Sequence, residues 1–136
     1  MTPTLTIQVL DPKLAICRLA GDAPLPDWCS KGSFLSITRT SDELSLICED
    51  VLVPEELDAE RNWRALKVKG PLDFSLTGIL ASLVTPLAKA AIPVFAISTY
   101  DTDYLLLKQD RLPEAISLLN QFCQIERNPQ NGVIKE

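Results

Sequence analysis

The fold of this chain is decided by residues 97–106, which read ISTYDTDYLL. An apolar run at 93–97 leads into the polar stretch 98–103, and a second apolar run follows at 104–107. Each apolar run is too short for a helix, so we expect two strands, the first of them buried. The polar stretch predicts the corner at which the chain passes from one strand to the next.

Helical patterns lie on both sides of these two strands. Apolar residues recur at three- and four-residue spacing in 79–92 and again in 112–123, which is typical of amphipathic helices. Pro86 lies inside the first pattern, where its missing N–H should kink the helix or remove one backbone bond. With a strand at 63–68, the second half should run strand, helix, strand, strand, helix. That order is nearly the split β-α-β, an α+β arrangement with helices on one face of an antiparallel sheet.

The first half predicts the same strands with its helix reduced to a loop. Alternating apolar residues indicate strands at 4–10 and 13–19, which we expect to form a hairpin. A second hairpin is expected from strands at 34–38 and 44–48. Residues 21–32 carry prolines and glycines, so they predict a loop with one short helical turn. The expected division of the chain is an N-terminal subdomain 1–60, a C-terminal subdomain 61–127 and a tail 128–136.

Composition excludes several classes of function. The chain of 136 residues has no histidine, which removes imidazole catalysis and histidine-ligated metal sites. Its 13 basic and 18 acidic residues give a net charge of −5, which argues against a nucleic-acid partner. We find no apolar run long enough for a membrane helix and no signal peptide, so the expected location is cytoplasmic, with no membrane partner.

The four cysteines form no CxxC pair, which argues against a zinc site or a thioredoxin-like motif. Cys17 and Cys48 lie in strand-like apolar runs, and Cys123 lies on the apolar side of the second helical pattern. We therefore expect buried thiols in a reducing compartment.

The centre of the second half resembles the ACT domain family. The resemblance rests on 72–80 (LDFSLTGIL), on 86–95 and above all on 97–106, and 36–45 (SITRTSDELS) matches the same variant. These residues are similar to the ACT domains of aspartokinases and of CASTOR-type arginine sensors. The resemblance covers roughly residues 5–125. It implies two tandem ferredoxin-like (βαββαβ) ACT-like subdomains, with antiparallel sheets and helices on one face.

The resemblance also implies a function and a site. ACT domains are usually not catalytic, bind amino acids at interfaces between ACT units and pair into larger assemblies. A helix N-terminus suits the carboxylate of such a ligand, and Gly78 would let the backbone come close. The corner 98–103 faces the effector in the family, and Asp103 best matches the acidic position that contacts it. The expected ligand-binding residues are Ser75, Thr77, Gly78, Ile79, Ser98, Thr99, Tyr100, Asp101 and Asp103.

Simpler interpretations of the same residues stay open. Thr77 and Gly78 could merely begin a helix, and 98–102 could be only a turn, with Asp101 capping its own backbone. Three functions compete: an amino-acid-binding regulatory module, an interaction or oligomerisation module without a ligand, and an enzyme built on Asp73, Asp101 and Asp103. We favour the first, in which the chain binds a small molecule, forms a homodimer and has a protein as a further candidate partner. No cofactor, metal or catalytic residue is expected.

Overall fold

A computed structural model describes residues 5–69 and 78–127 and has a mixed α+β fold. The helices are α1 (Ile79–Lys89) and α2 (Leu112–Leu119), and short 3-10 helices occupy Asp27–Ser30, Asp50–Leu52 and Gln109–Arg111. The strands are β1 (Leu5–Val9), β2 (Leu14–Leu19), β3 (Leu35–Arg39), β4 (Leu44–Glu49), β5 (Ala59–Val68), β6 (Phe95–Ser98), β7 (Asp103–Lys108) and β8 (Cys123–Arg127).

The chain divides into two compact units that do not follow the expected boundary at 60/61. Unit 1 comprises 1–11 and 64–136, and unit 2 comprises 12–63. The first strand groups with the second half because β1 pairs with β5 antiparallel, Ile7 opposite Val68, and with β8 in parallel, Leu5 opposite Cys123. The predicted hairpin of 4–10 with 13–19 is therefore wrong, since β2 pairs with β4 and β5 instead.

Unit 1 packs both helices on one face of its strands. Alternate strand residues such as Leu66 and Val68, or Leu105 and Leu107, are fully buried against α1 and α2 because side chains alternate between the faces of a strand. This cluster is core 1, and it contains Ile7, Val9, Leu66, Val68, Leu83, Leu87, Ile92, Leu105, Leu107, Leu112, Ala115, Leu119 and Cys123.

Unit 2 consists of strands and 3-10 turns. Its residues, all of which the structure describes, contain no α-helix. The expected loop with one short helical turn is confirmed by the 3-10 helix Asp27–Ser30, whose Cys29 is buried in the core of this unit. The predicted hairpin of β3 with β4 is confirmed, with Ile37 opposite Leu46. The buried cluster of this unit is core 2, which contains Ala15, Cys17, Cys29, Leu44, Leu46, Cys48 and Val53.

Three local predictions need correction. The strand predicted to be buried at 93–97 is β6, most of which is exposed. The second helix ends at Leu119, so Cys123 begins strand β8 and does not lie on a helix. The strand predicted at 63–68 begins earlier, at Ala59. The tail expected at 128–136 lies outside the described residues.

The four cysteines are buried and carry free thiols, as predicted. Burial, reinforced by the neighbouring Cys17 and Cys29, raises the pKa of Cys48 to about 12. Burial likewise raises the pKa of Cys17 and of Cys123. A thiol with a raised pKa is a poor nucleophile, so these side chains act as core residues.

Candidate functional site

The polar stretch between β6 and β7 forms a tight turn. The backbone N–H of Thr99 donates to the carbonyl of Thr102 at 2.8 Å, and the N–H of Thr102 donates to the Thr99 hydroxyl at 3.3 Å. Tyr100, which is 83% exposed, and Asp101 lie at the tip. The prediction of a corner here is thus confirmed. The side chain that hydrogen-bonds the backbone of the turn is Thr99, whereas Asp101 was considered for that role.

Thr102 fixes this turn to the end of another strand. It is only 4% exposed, and its hydroxyl donates to the carbonyl of Val68, the last residue of β5. Residues 69–78 lead from that point to α1, so the turn is bonded to the strand that precedes the helix. Sequence reasoning did not select Thr102, because a threonine between two aspartates in a polar stretch is typical of an exposed position.

Ser98 and Asp103 close the base of the turn. They stand opposite each other in the β6–β7 register, and the Ser98 hydroxyl donates to the Asp103 carboxylate at 2.6 Å. Asp103 is half-buried, whereas Asp101 is exposed. The structure therefore brings together the five residues predicted in this stretch: Ser98 is bonded to Asp103, Thr99 is bonded to Thr102, and Tyr100 and Asp101 lie at the tip.

The start of α1 holds two further predicted residues. Gly78 is the N-cap residue with φ +82°, a left-handed conformation that favours glycine, and a Cβ there would meet nothing within 4 Å. Its carbonyl accepts from the Ser82 N–H at 2.8 Å, which opens the helix. Ile79 is half-buried and packs against core 1. Ser75 and Thr77 lie outside the described residues.

An ion pair that sequence reasoning missed lies beside the end of β5. Lys69, the residue after Val68, donates its backbone N–H to Thr6 at 2.9 Å, and its Nζ lies 3.2 Å from Glu126 of β8. Both side chains are nearly half exposed. This end of unit 1 therefore carries charges of both signs near the Thr102–Val68 bond.

Two arginines brace other parts of unit 1. Arg64 donates to the Leu10 carbonyl at 2.8 Å and to the Gln109 side chain at 3.1 Å, and its burial lowers the pKa of the guanidinium. Arg111 donates to the carbonyls of Ala90 and Ala91 and is paired with Glu114 at 2.8 Å, so it caps the C-terminal end of α1.

Within 5–69 and 78–127, no cluster of three His, Cys, Asp or Glu side chains could hold a metal ion. None of the helices in those ranges is both long and apolar enough to cross a membrane.

Residues 58–121 match the family model of the ACT domain, and residues 12–56 match a second model described only as an N-terminal domain. Residues 58–121, which hold β5, α1, β6, β7 and α2, therefore contain an ACT domain. The recognition made from the motifs at 72–106 is thereby confirmed.

Several known proteins are similar to this chain. The chain is 30% identical over 109 residues to the cytosolic arginine sensor for mTORC1 subunit 1 of Bos taurus, a match spanning 72% of this chain and 33% of the sensor. The chain thus spans about a third of that relative. It is similar to the crystal structure of protein Atu0741 from Agobacterium tumefaciens, with 34% identity, a TM-score of 0.86 and coverage of 93% and 96% of the two chains. An aspartate kinase from Clostridium acetobutylicum shares the fold at a TM-score of 0.61 and 14% identity, over 82% of this chain and 33% of the kinase.

Proposed function

We propose that this chain is a non-catalytic regulatory module that binds an amino acid at an interface between ACT units. The observation that carries the proposal is the ACT domain at 58–121 together with the identity to a protein named as an arginine sensor. The name of that relative also supports a cytoplasmic location. We further propose that the chain works as a homodimer, with a protein partner as the recipient of the signal.

We also propose that both halves are ACT-like subdomains in tandem. The strand order of unit 2, β3-β4-β2-β5, supports this, because it is the 2-3-1-4 order of a four-stranded ferredoxin-like sheet. The loop with the Asp27–Ser30 turn then stands where such a unit has its first helix. We propose that the two subdomains lie close to the expected ranges 1–60 and 61–127, with the first strand belonging to the second of them.

The turn between β6 and β7 supports a site for a ligand that carries a positive charge. Asp101 and Asp103 place two carboxylates in a turn that the buried Thr102 bonds to Val68. A carboxylate oxygen can accept more than one hydrogen bond, so the Ser98 bond leaves Asp103 able to accept from an ammonium or guanidinium. Charge-assisted bonds of this kind are the strong ones. The ligand carboxylate is proposed to bind at the start of α1, near Ser75, Thr77, Gly78 and Ile79.

Calorimetry of the full chain against the twenty amino acids, beginning with arginine, tests the proposal. We expect saturable binding of one amino acid and at least a tenfold loss of affinity in Asp103→Asn, which keeps the shape of the side chain but removes its charge. The matched control is Asp110→Asn, an exposed aspartate of the 3-10 helix Gln109–Arg111, which should bind as the original chain does. Absence of binding by the folded protein to all twenty would refute the function, and an unaltered Asp103→Asn would refute the site.

An interaction or oligomerisation module without a ligand is the second candidate. The observation that favours it is the exposure of Leu35 and Ile37 on strand β3, since exposed apolar side chains on an edge strand favour association. A dimer whose dissociation constant is the same with and without each amino acid would support this candidate over the first.

A further inference from the structure

One face of the sheet in unit 1 points away from both helices. Leu66 and Val68 of β5, and Leu105 and Leu107 of β7, are buried in core 1 together with residues of α1 and α2. Because side chains alternate between the two sides of a strand, the residues between them point to the opposite side. Both α-helices of the described residues pack on core 1, so neither of them covers that opposite side.

The strand register shows which residues of β5, β6 and β7 lie on this outer face. Phe95 stands opposite Leu106, and Ile97 stands opposite Tyr104. Residues that are directly opposite each other share one side of a sheet, and Tyr104 and Leu106 alternate with the core residues of β7. The outer face therefore consists of Ala65, Lys67, Phe95, Ile97, Tyr104, Leu106 and Lys108.

The outer face combines apolar and basic side chains. Five of its seven residues are apolar or aromatic and the other two are lysines, so it holds no carboxylate, although the whole chain has 18 acidic and only 13 basic residues. Leu106 is fully buried and Tyr104 half-buried, but Phe95 is 37% exposed. Apolar surface thus remains partly uncovered beside positive charge.

The positive charge at β5 is not neutralised by the neighbouring strands. Lys67 has no ion-pair partner among the described residues, and the residue opposite it on β1 is the uncharged Gln8. Along β1 and β8, the one acidic residue on this side of the sheet is Glu126, which is already paired with Lys69 at 3.2 Å. Lys67 is therefore available to a carboxylate from outside the chain.

The spacing of the strands sets the size of the element that fits here. Neighbouring strands lie about 4.8 Å apart, so β6 and β7 together offer an apolar strip about 10 Å wide. An α-helix with its side chains has a diameter of about 10–12 Å. One helix can therefore cover both strands, and β5, which pairs with β7, lies along its flank.

We propose that the outer face of unit 1 binds an acidic amphipathic helix of a partner protein. The apolar stripe of the helix packs on Phe95, Ile97 and Tyr104, and its acidic flank lies along Lys67. A helix layer on a sheet is a stable way to bury the apolar side chains of both elements. Charge complementarity selects an acidic helix over a basic one.

Two other occupants fit this surface less well. A second copy of the chain offers no helix for it, because α1 and α2 already bury their apolar stripes in core 1 and residues 5–69 and 78–127 contain no further α-helix. An anionic lipid surface would attract the lysines but repel the chain as a whole, whose net charge is −5.

The outer face gives the protein partner of the proposed function a place to bind and a stated chemistry. Its test uses no amino acid, so failure of helix binding and failure of amino-acid binding are separate results. The test is fluorescence anisotropy of a labelled peptide titrated with the full chain. The probe is a synthetic amphipathic helix of about 18 residues, with leucine on one face and glutamate along both flanks.

A matched probe carries lysine in place of every glutamate. We expect saturable binding of the glutamate helix, with a Kd at least tenfold lower than that of the lysine helix. Lys67→Glu should remove this preference, because it reverses the charge beside the strip. Phe95→Gln should weaken the glutamate helix at least fivefold, whereas Val51→Gln, at a residue of unit 2 that is 86% exposed, should leave its Kd unaltered. If Phe95→Gln does not fold, Lys67→Glu on the other strand decides the question.

Three results would overturn the proposal. The first is a folded chain that binds neither helix, or binds both equally. The second is a glutamate helix that binds Lys67→Glu and Phe95→Gln as tightly as the original chain. The third is binding to vesicles of phosphatidylcholine and phosphatidylserine in place of the peptide, which would assign the outer face to a membrane.

Discussion

Replacing Thr102 by valine tests whether the turn between β6 and β7 depends on its bond to β5. Valine keeps the β-branched shape of threonine but removes the hydroxyl that donates to the Val68 carbonyl. Because Thr102 is only 4% exposed, water cannot replace the lost donor, and the change should cost about 1.5 kcal/mol. A chain of 136 residues has an unfolding entropy of about 0.3 kcal/mol/K, so the Tm should fall by about 5 °C.

Differential scanning calorimetry measures this change, and hydrogen exchange shows where it acts. Exchange should accelerate at the amides of β6 and β7, because the turn that joins them loses its attachment. The matched control is Thr38→Val, the same substitution at an exposed position of β3, which should alter stability by less than about 0.5 kcal/mol. If Thr102→Val melted within 1 °C of the original chain, as the control should, the assigned role of the hydroxyl would be refuted.

Three further predictions follow from other parts of the structure. Ala91 has φ +59° just after α1, so Ala91→Gly should stabilise the chain by about 1 kcal/mol in chemical denaturation, whereas Ala88→Gly at an exposed position inside α1 should destabilise it by a similar amount. Asp50 accepts from Arg61 at 2.9 Å and from the Asn62 N–H at 2.8 Å, so Asp50→Ala should cost about 2 kcal/mol and the exposed Asp58→Ala almost nothing. The Cys48 thiol ionises near its ordinary pKa of 9.0 in the unfolded chain but near 12 in the folded one, so its contribution to stability is complete below pH 9 and is lost as the pH rises toward 12. Denaturation at several pH values should therefore show a smaller decline above pH 9 in Cys48→Ala.

Local patterns predicted the elements whose partners are close in the sequence. The β3–β4 hairpin was predicted correctly because the polar residues 40–43 separate two alternating runs. The partners of β1 could not be predicted in this way, since alternation shows that a strand has a buried face but does not show which strand lies beside it. Val68 and Cys123, which β1 meets, are remote in the sequence, and the compact units differ from the expected boundary for that reason.

Apolar spacing was misleading where an element ends or lies at an edge. Leu119, Phe122 and Cys123 continue the helical spacing of α2, but α2 stops at Leu119, and a turn in which the Phe122 N–H donates to the Leu119 carbonyl leads into β8. β6 is apolar in sequence but pairs only with β7 among the described residues, which leaves Phe95 37% exposed. Composition alone does not distinguish a buried strand from an exposed edge strand.

Some of the predicted ligand-binding groups at 98–103 are already hydrogen-bonded within the turn, and others are not. Ser98 has a single hydroxyl proton, which it donates to Asp103, and Thr99 uses its hydroxyl both to accept from and to donate to Thr102. These hydroxyls stabilise the turn, so a ligand that displaced them would destabilise the corner that holds it. Under the proposed function the binding energy must then come mainly from Asp101, Asp103 and the helix start. The substitution that separates shape from binding is therefore Asp103→Asn, because its amide oxygen still accepts from Ser98 while its charge is gone.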